Sequence, residues 1–132
     1  MATPTTQYRY VSGLGIRTGF TDNQGYNIGI TPIVLTQSSG TFSVNPSNLY
    51  TFVNLPTALT GTANIVINAT SSLIFDHCDI MVQGGSTTYS VILSGNVASA
   101  TSLTTAIPPN KYAKISGMYN GTAFLFSSYV TV

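Results

Sequence analysis

From Ile33 to Val130 Gly and Pro recur between short stretches, and no stretch holds a 3.6-residue apolar period. A chain with that rhythm folds as strands. Nine candidates stand out: Ile33–Gln37, Thr41–Val44, Leu49–Val53, Asn64–Ala69, Leu73–Val82, Thr87–Leu93, Leu103–Ile107, Lys111–Tyr119 and Thr122–Val130. Nine short strands in about a hundred residues predict an all-β fold, a jelly-roll-like two-sheet antiparallel sandwich. An immunoglobulin-like sandwich is the near alternative, but its buried Trp and cysteine pair are missing. Residues 1–32 differ in character. Gly13, Gly15, Gly19 and Gly25 fall between Tyr8 and Asn27 with Arg9, Arg17 and Asp22, and no hairpin pattern is visible. This segment is expected to be an extended N-terminal arm ahead of a β-sandwich domain at 33–132.

Charge narrows the function. Of 132 residues only seven are charged: four Lys or Arg and three Asp, with no Glu. No charged residue occurs between Asp22 and Asp76, or between Asp79 and Lys111. Soluble domains commonly carry about a quarter charged residues, a coat that keeps monomers apart. Its scarcity here leaves two readings: a domain solubilised by Thr, Ser and Asn alone, or, the favoured one, a subunit whose surface is committed to neighbours of its own kind or to another protein. A formal net charge of +1 with four cations argues against a nucleic-acid partner. No window approaches the apolar length of a membrane helix, so no membrane partner is expected. The first thirteen residues hold no apolar run, so no secretory signal is expected and synthesis is placed in a cytoplasm.

Candidate chemistry is sparse. One Cys makes no internal disulfide and builds no zinc site alone. Asp76-His77-Cys78-Asp79 looks like a reactive cluster, but alternate residues of a strand face opposite ways. Cys78 then enters the core while His77 and Asp79 share the other face, where a hydrogen-bonded His–Asp pair is expected. Gly13-Leu14-Gly15-Ile16-Arg17-Thr18-Gly19 lacks the spacing and βαβ setting of a dinucleotide site. No Gly-x-Ser-x-Gly elbow supports a Ser-His-Asp triad of His77 and Asp22. Asn68-Ala69-Thr70 and Asn120-Gly121-Thr122 match glycosylation sequons, the second better explained as a turn. No catalytic residue, cofactor or metal ligand is expected, and the chain reads as no enzyme.

Two hairpins are expected in register. Asn120-Gly121 suits a type I′ turn, pairing Tyr119 with Thr122, Gly117 with Phe124 and Ile115 with Phe126. One face then holds Ile115, Gly117, Tyr119, Phe124, Phe126 and Val130. The other, with Tyr112, Lys114, Met118, Leu125 and Tyr129, is too apolar for water alone and is expected either to be a subunit interface or to be covered by a loop or the N-terminal arm. Gln83-Gly84-Gly85-Ser86 is read as the second turn, pairing Ile80 with Tyr89 and Cys78 with Val91. Tyr8, Arg9, Tyr10, Arg17 and Phe20 supply the arm with aromatic anchors and guanidinium groups for a neighbouring subunit.

The order Asn48-Leu49-Tyr50-Thr51-Phe52, Asn64-Ile65-Val66-Ile67, Cys78-Asp79-Ile80-Met81-Val82, Tyr89-Ser90-Val91, Pro109-Asn110-Lys111-Tyr112-Ala113-Lys114-Ile115 and Tyr119-Asn120-Gly121-Thr122 resembles the small β-domains of tailed-bacteriophage virion proteins. Those include capsid decoration (cement) proteins and head or tail fibre domains. The resemblance spans Asn48 to Val132 in style and motif order. It implies a virion structural protein on the capsid surface, a major capsid protein as partner, and homo-trimers. A receptor- or glycan-binding fibre domain is the alternative it leaves open.

Overall fold

The computed structural model describes residues 6–11, 16–20, 30–98 and 103–131. Its described residues form strands and turns with no helix. In chain order the strands are β1 Thr6–Val11, β2 Ile16–Phe20, β3 Ile30–Val34, β4 Gly40–Val44, β5 Tyr50–Leu55, β6 Ala63–Ile67, β7 His77–Gln83, β8 Tyr89–Gly95, β9 Leu103–Ile107, β10 Tyr112–Tyr119 and β11 Phe124–Val130. Each of the nine expected strands has a counterpart in β3 to β11.

Two larger sheets carry the core. One is ordered β11-β10-β7-β5-β3 and the other β4-β6-β8-β9. From β3 to β8 the chain alternates between the sheets strand by strand. β3, β5 and β7 therefore stack in parallel, as do β4, β6 and β8. Three coils of a flattened two-sheet roll result. β9 then closes one sheet and the β10–β11 hairpin extends the other, all antiparallel. The expectation of a wholly antiparallel sandwich is corrected accordingly. Short strands with period-2 patterning do not encode the direction of their neighbour, and a two-sheet coil satisfies the same pattern.

Alternation fills the space between the sheets. Thr51, Val53 and Leu55 of β5, Ala63, Ile65 and Ile67 of β6, and Cys78, Ile80 and Val82 of β7 all point inward. Val91, Leu93, Ile107, Ala113 and Ile115 join them, each at most 2% exposed. Burying one Val, Leu or Ile among them contributes about 1.5–3 kcal/mol. Phe124 seals the end where the sheets meet: its ring lies 5.2 Å from Tyr119 and 5.7 Å from Phe126, and its backbone pairs with Asn96 and Ala98 beyond β8.

Both expected hairpins are revised. β10 and β11 pair Tyr119 with Phe124 and Gly117 with Phe126, two residues from the expected register. Only Gly121 has positive φ at the turn, and the Asn120 side chain accepts hydrogen bonds from the Thr122 and Ala123 N–H groups, 2.9 Å each. That asparagine bracket makes a four-residue loop in place of the type I′ turn. A slip of two keeps every side chain on its expected face, so the core face survives, with Phe126 rather than Phe124 over Gly117. The Gly84-Gly85 hairpin does not form. β7 and β8 lie in different sheets, and the two glycines carry the chain across. A Cβ on Gly85 would stand 1.9 Å from the Leu59 carbonyl oxygen, and one on Gly84 2.7 Å from that of Pro108. The glycines serve close backbone approach, not turn dihedrals.

Of the segment expected as an arm at 1–32, β1, β2 and the start of β3 are described. β1 and β2 pair antiparallel as a two-stranded sheet, Tyr10 opposite Arg17, against the expectation of no hairpin there. β3 opens the five-stranded sheet at Ile30, ahead of the expected boundary at 33.

Gly85→Ala is expected to cost about 3 kcal/mol or more, because the clash is with backbone. Gly121→Ala, in open space at φ +98°, costs about 1–2 kcal/mol. Urea unfolding midpoints of the two variants check the order; equal losses contradict the close-approach account.

Candidate functional site

The Asp76–Asp79 run is taken apart by the fold. Cys78 is fully buried, and burial pushes its thiol from 9.0 up to about 12, with Asp79 adding to the rise. A thiol held neutral is no nucleophile at ordinary pH. His77 is half-buried with its ring 5.2 Å from Tyr50, and its Nδ1 has no hydrogen-bond partner. The expected His77–Asp79 bond through that nitrogen is therefore not made. The two side chains stand two residues apart along β7, separated by the strand rise. Among the described residues no three His, Cys, Asp or Glu side chains come together as metal ligands. Asp22 lies outside the described residues.

The outward face of the five-stranded sheet carries the candidate site. Register sets its side chains in rows. Tyr50, His77, Met118 and Leu125 form one row across β5, β7, β10 and β11. Pro32, Phe52, Asp79, Ser116 and Ser127 form the next, and Val34, Asn54, Met81, Lys114 and Tyr129 the third. Tyr112 stands beyond, beside Gln83. Eight of these are large apolar residues left 36–63% exposed, from Phe52 to Tyr129. The outward face of the other sheet differs. Its central row is Thr41, Asn64, Ile92 and Thr104, and none of its residues is a large exposed hydrophobe.

Tyr112, Lys114, Met118, Leu125 and Tyr129, expected at an interface, thus share one face. Sequence reasoning missed that β3, β5 and β7 continue it with Val34, Tyr50, Phe52 and Met81. Their alternation was legible; their membership of the same sheet was not. Tyr8, Arg9, Tyr10, Arg17 and Phe20 belong to β1 and β2, whose side chains lie outside the described residues.

A second apolar surface sits at the end of the roll. Leu73, Ile74 and Phe75 are 51–61% exposed in the turn before β7. The turn is clamped from beneath. Buried Asp76 accepts a hydrogen bond from the Leu73 N–H at 2.9 Å, and its own N–H donates to the Leu73 carbonyl at 3.0 Å. The Phe75 N–H donates to the Tyr119 carbonyl at 2.8 Å, and the Ser72 hydroxyl to that of Pro46 at 2.6 Å. Phe75 is held at φ +74°, a left-handed backbone that costs a residue with a Cβ about 1–2 kcal/mol. The sequence placed Leu73 at the start of a strand. The Asp76 carboxylate overrides that by turning the chain, and the tip becomes a fixed knob.

The sequence matches no protein-family model and no curated protein sequence.

Native Cys78 is expected to resist thiol reagents at pH 8 and to react only on unfolding; rapid stoichiometric labelling of folded protein contradicts the burial. In the unfolded chain the thiol ionises from about pH 9, in the folded chain only near 12. Its share of stability is therefore present below pH 9 and lost as pH climbs toward 12, and Cys78→Ala flattens that part of the pH profile. Phe75→Gly relieves the left-handed strain but raises unfolded-chain entropy, so stability should hold or rise by up to about 1 kcal/mol. Thermal unfolding checks it, and a marked loss means that the Phe75 side chain supports the fold.

Proposed function

We propose that the chain is a structural protein of a phage virion. It is a capsid decoration (cement) subunit that binds the outer shell through the major capsid protein and clamps neighbouring capsomers, as a homo-trimer. The observation that carries this reading is a nearly uncharged domain with two apolar displays, a broad sheet face and a rigid tip. Binding to the assembled shell alone would stabilise that state by mass action. The role needs no catalysis, cofactor or nucleic-acid contact, and the protein would act at the capsid surface after synthesis in the host cytoplasm.

A glycan- or receptor-binding head or tail fibre domain is the second reading. Tyr112 and Tyr129, 51% and 63% exposed, with Tyr129 opposite Lys114, favour it, because exposed phenol rings stack on sugars.

Incubating the protein with undecorated shells and imaging them separates the two. A decoration subunit forms a regular array and raises the shell's disruption temperature. Replacing Leu73 and Ile74 by Ser together with Phe75→Gly is expected to weaken binding at least tenfold while the fold stays native. Bare shells together with selective binding on a sugar array would move the reading to the fibre domain.

A further inference from the structure

We propose that the outward face of the five-stranded sheet is where copies of this chain meet, packed around a rotational axis so that Lys114 of one copy lies against Asp79 of the next. The inference deepens the reading of the chain as a self-associating particle subunit and rests on it.

Area gives the first argument. Eight large apolar side chains with full areas on the order of 150–250 Å² are about half exposed, giving roughly 800 Å² of apolar surface. The largest apolar patch of an ordinary monomer is about 300–600 Å². One partner of a standard protein–protein interface contributes about 800 Å². The face is therefore the size of one whole side of an interface.

Charge identifies the occupant. Of the described face only Asp79 and Lys114 carry formal charge. They sit on adjoining strands, Asp79 opposite Ser116 and Lys114 opposite Met81. β7, which holds Asp79, is the middle strand of the five. A rotation that lays the β10 side of one copy on the β7 side of the next brings each charge to its opposite. No like charges then meet, which holds for a two-fold and for a closed ring. A strongly acidic or basic partner would find one of the two charges repulsive, whereas a second copy matches both.

Charge reversal tests it, read by native mass spectrometry and sedimentation, with circular dichroism to confirm folding. Asp79→Lys and Lys114→Asp are each expected to weaken self-association at least tenfold. The double variant should recover to within about threefold. Mixing the two single variants should give mixed pairs that neither forms alone, since every junction between unlike copies joins opposite charges, while a three-membered ring keeps one junction of like copies and is not restored; pairing within one chain predicts no mixed pairs. Leu125→Asp, on an exposed position of β11, should give a folded monomer and keeps the test open if a charge variant misfolds. A wild-type chain that is monomeric at tens of micromolar, or single variants that assemble like wild type, overturns the proposal. If such chains still decorate shells, the face belongs to another partner and the decoration reading stands without it.

Discussion

The alternation of strands between two sheets is the constraint on which the rest of the structure depends. Each crossing from one sheet to the other must turn the chain over the end of the core. In the crossing from β7 to β8, Gly84 and Gly85 run so close to the Leu59, Pro108 and Lys111 carbonyls that no side chain fits. Once the crossings are made, strands two apart in sequence become neighbours in parallel. The inward residues of six successive strands then interleave into one core.

The same alternation divides the outer surface. From β3 to β8, odd-numbered strands send their outward residues to one face and even-numbered strands to the other; β9 then joins the even-numbered set, and β10 and β11 the odd-numbered one. Tyr50 and Phe52, Met81, Met118 and Leu125 come from distant parts of the chain and gather because β5, β7, β10 and β11 share a sheet. Thr41, Asn64 and Thr104 gather on the opposite side by the same rule. The chemical asymmetry of the molecule, an apolar face against a hydroxyl- and amide-rich one, follows from the winding.

Local polar groups then fix details that periodicity leaves open. Asp76 turns Leu73–Phe75 out of the strand that their apolar character suggests. Asn120 brackets its loop through two backbone N–H groups and moves the hairpin register by two. Both side chains act over a few residues, and each offers the backbone bonds that compete with the ladder.

The amino-acid sequence by itself determined the strands and their faces. Period-2 patterning placed Cys78, Ile80, Val82, Ile115 and Phe124 inward and Met81, Met118, Leu125 and Tyr129 outward, because the side-chain direction depends only on parity along one strand. That is why the faces survived when the partner of β7 and the register of β11 did not. Tertiary structure decided which strands lie side by side. Pairing depends on long-range closure and on where the backbone crosses between sheets, and β-strand patterning is indifferent to both. It therefore decided that an outward face legible on one hairpin extends across five strands, and that the Leu73–Phe75 tip projects from their end while bonded to β10.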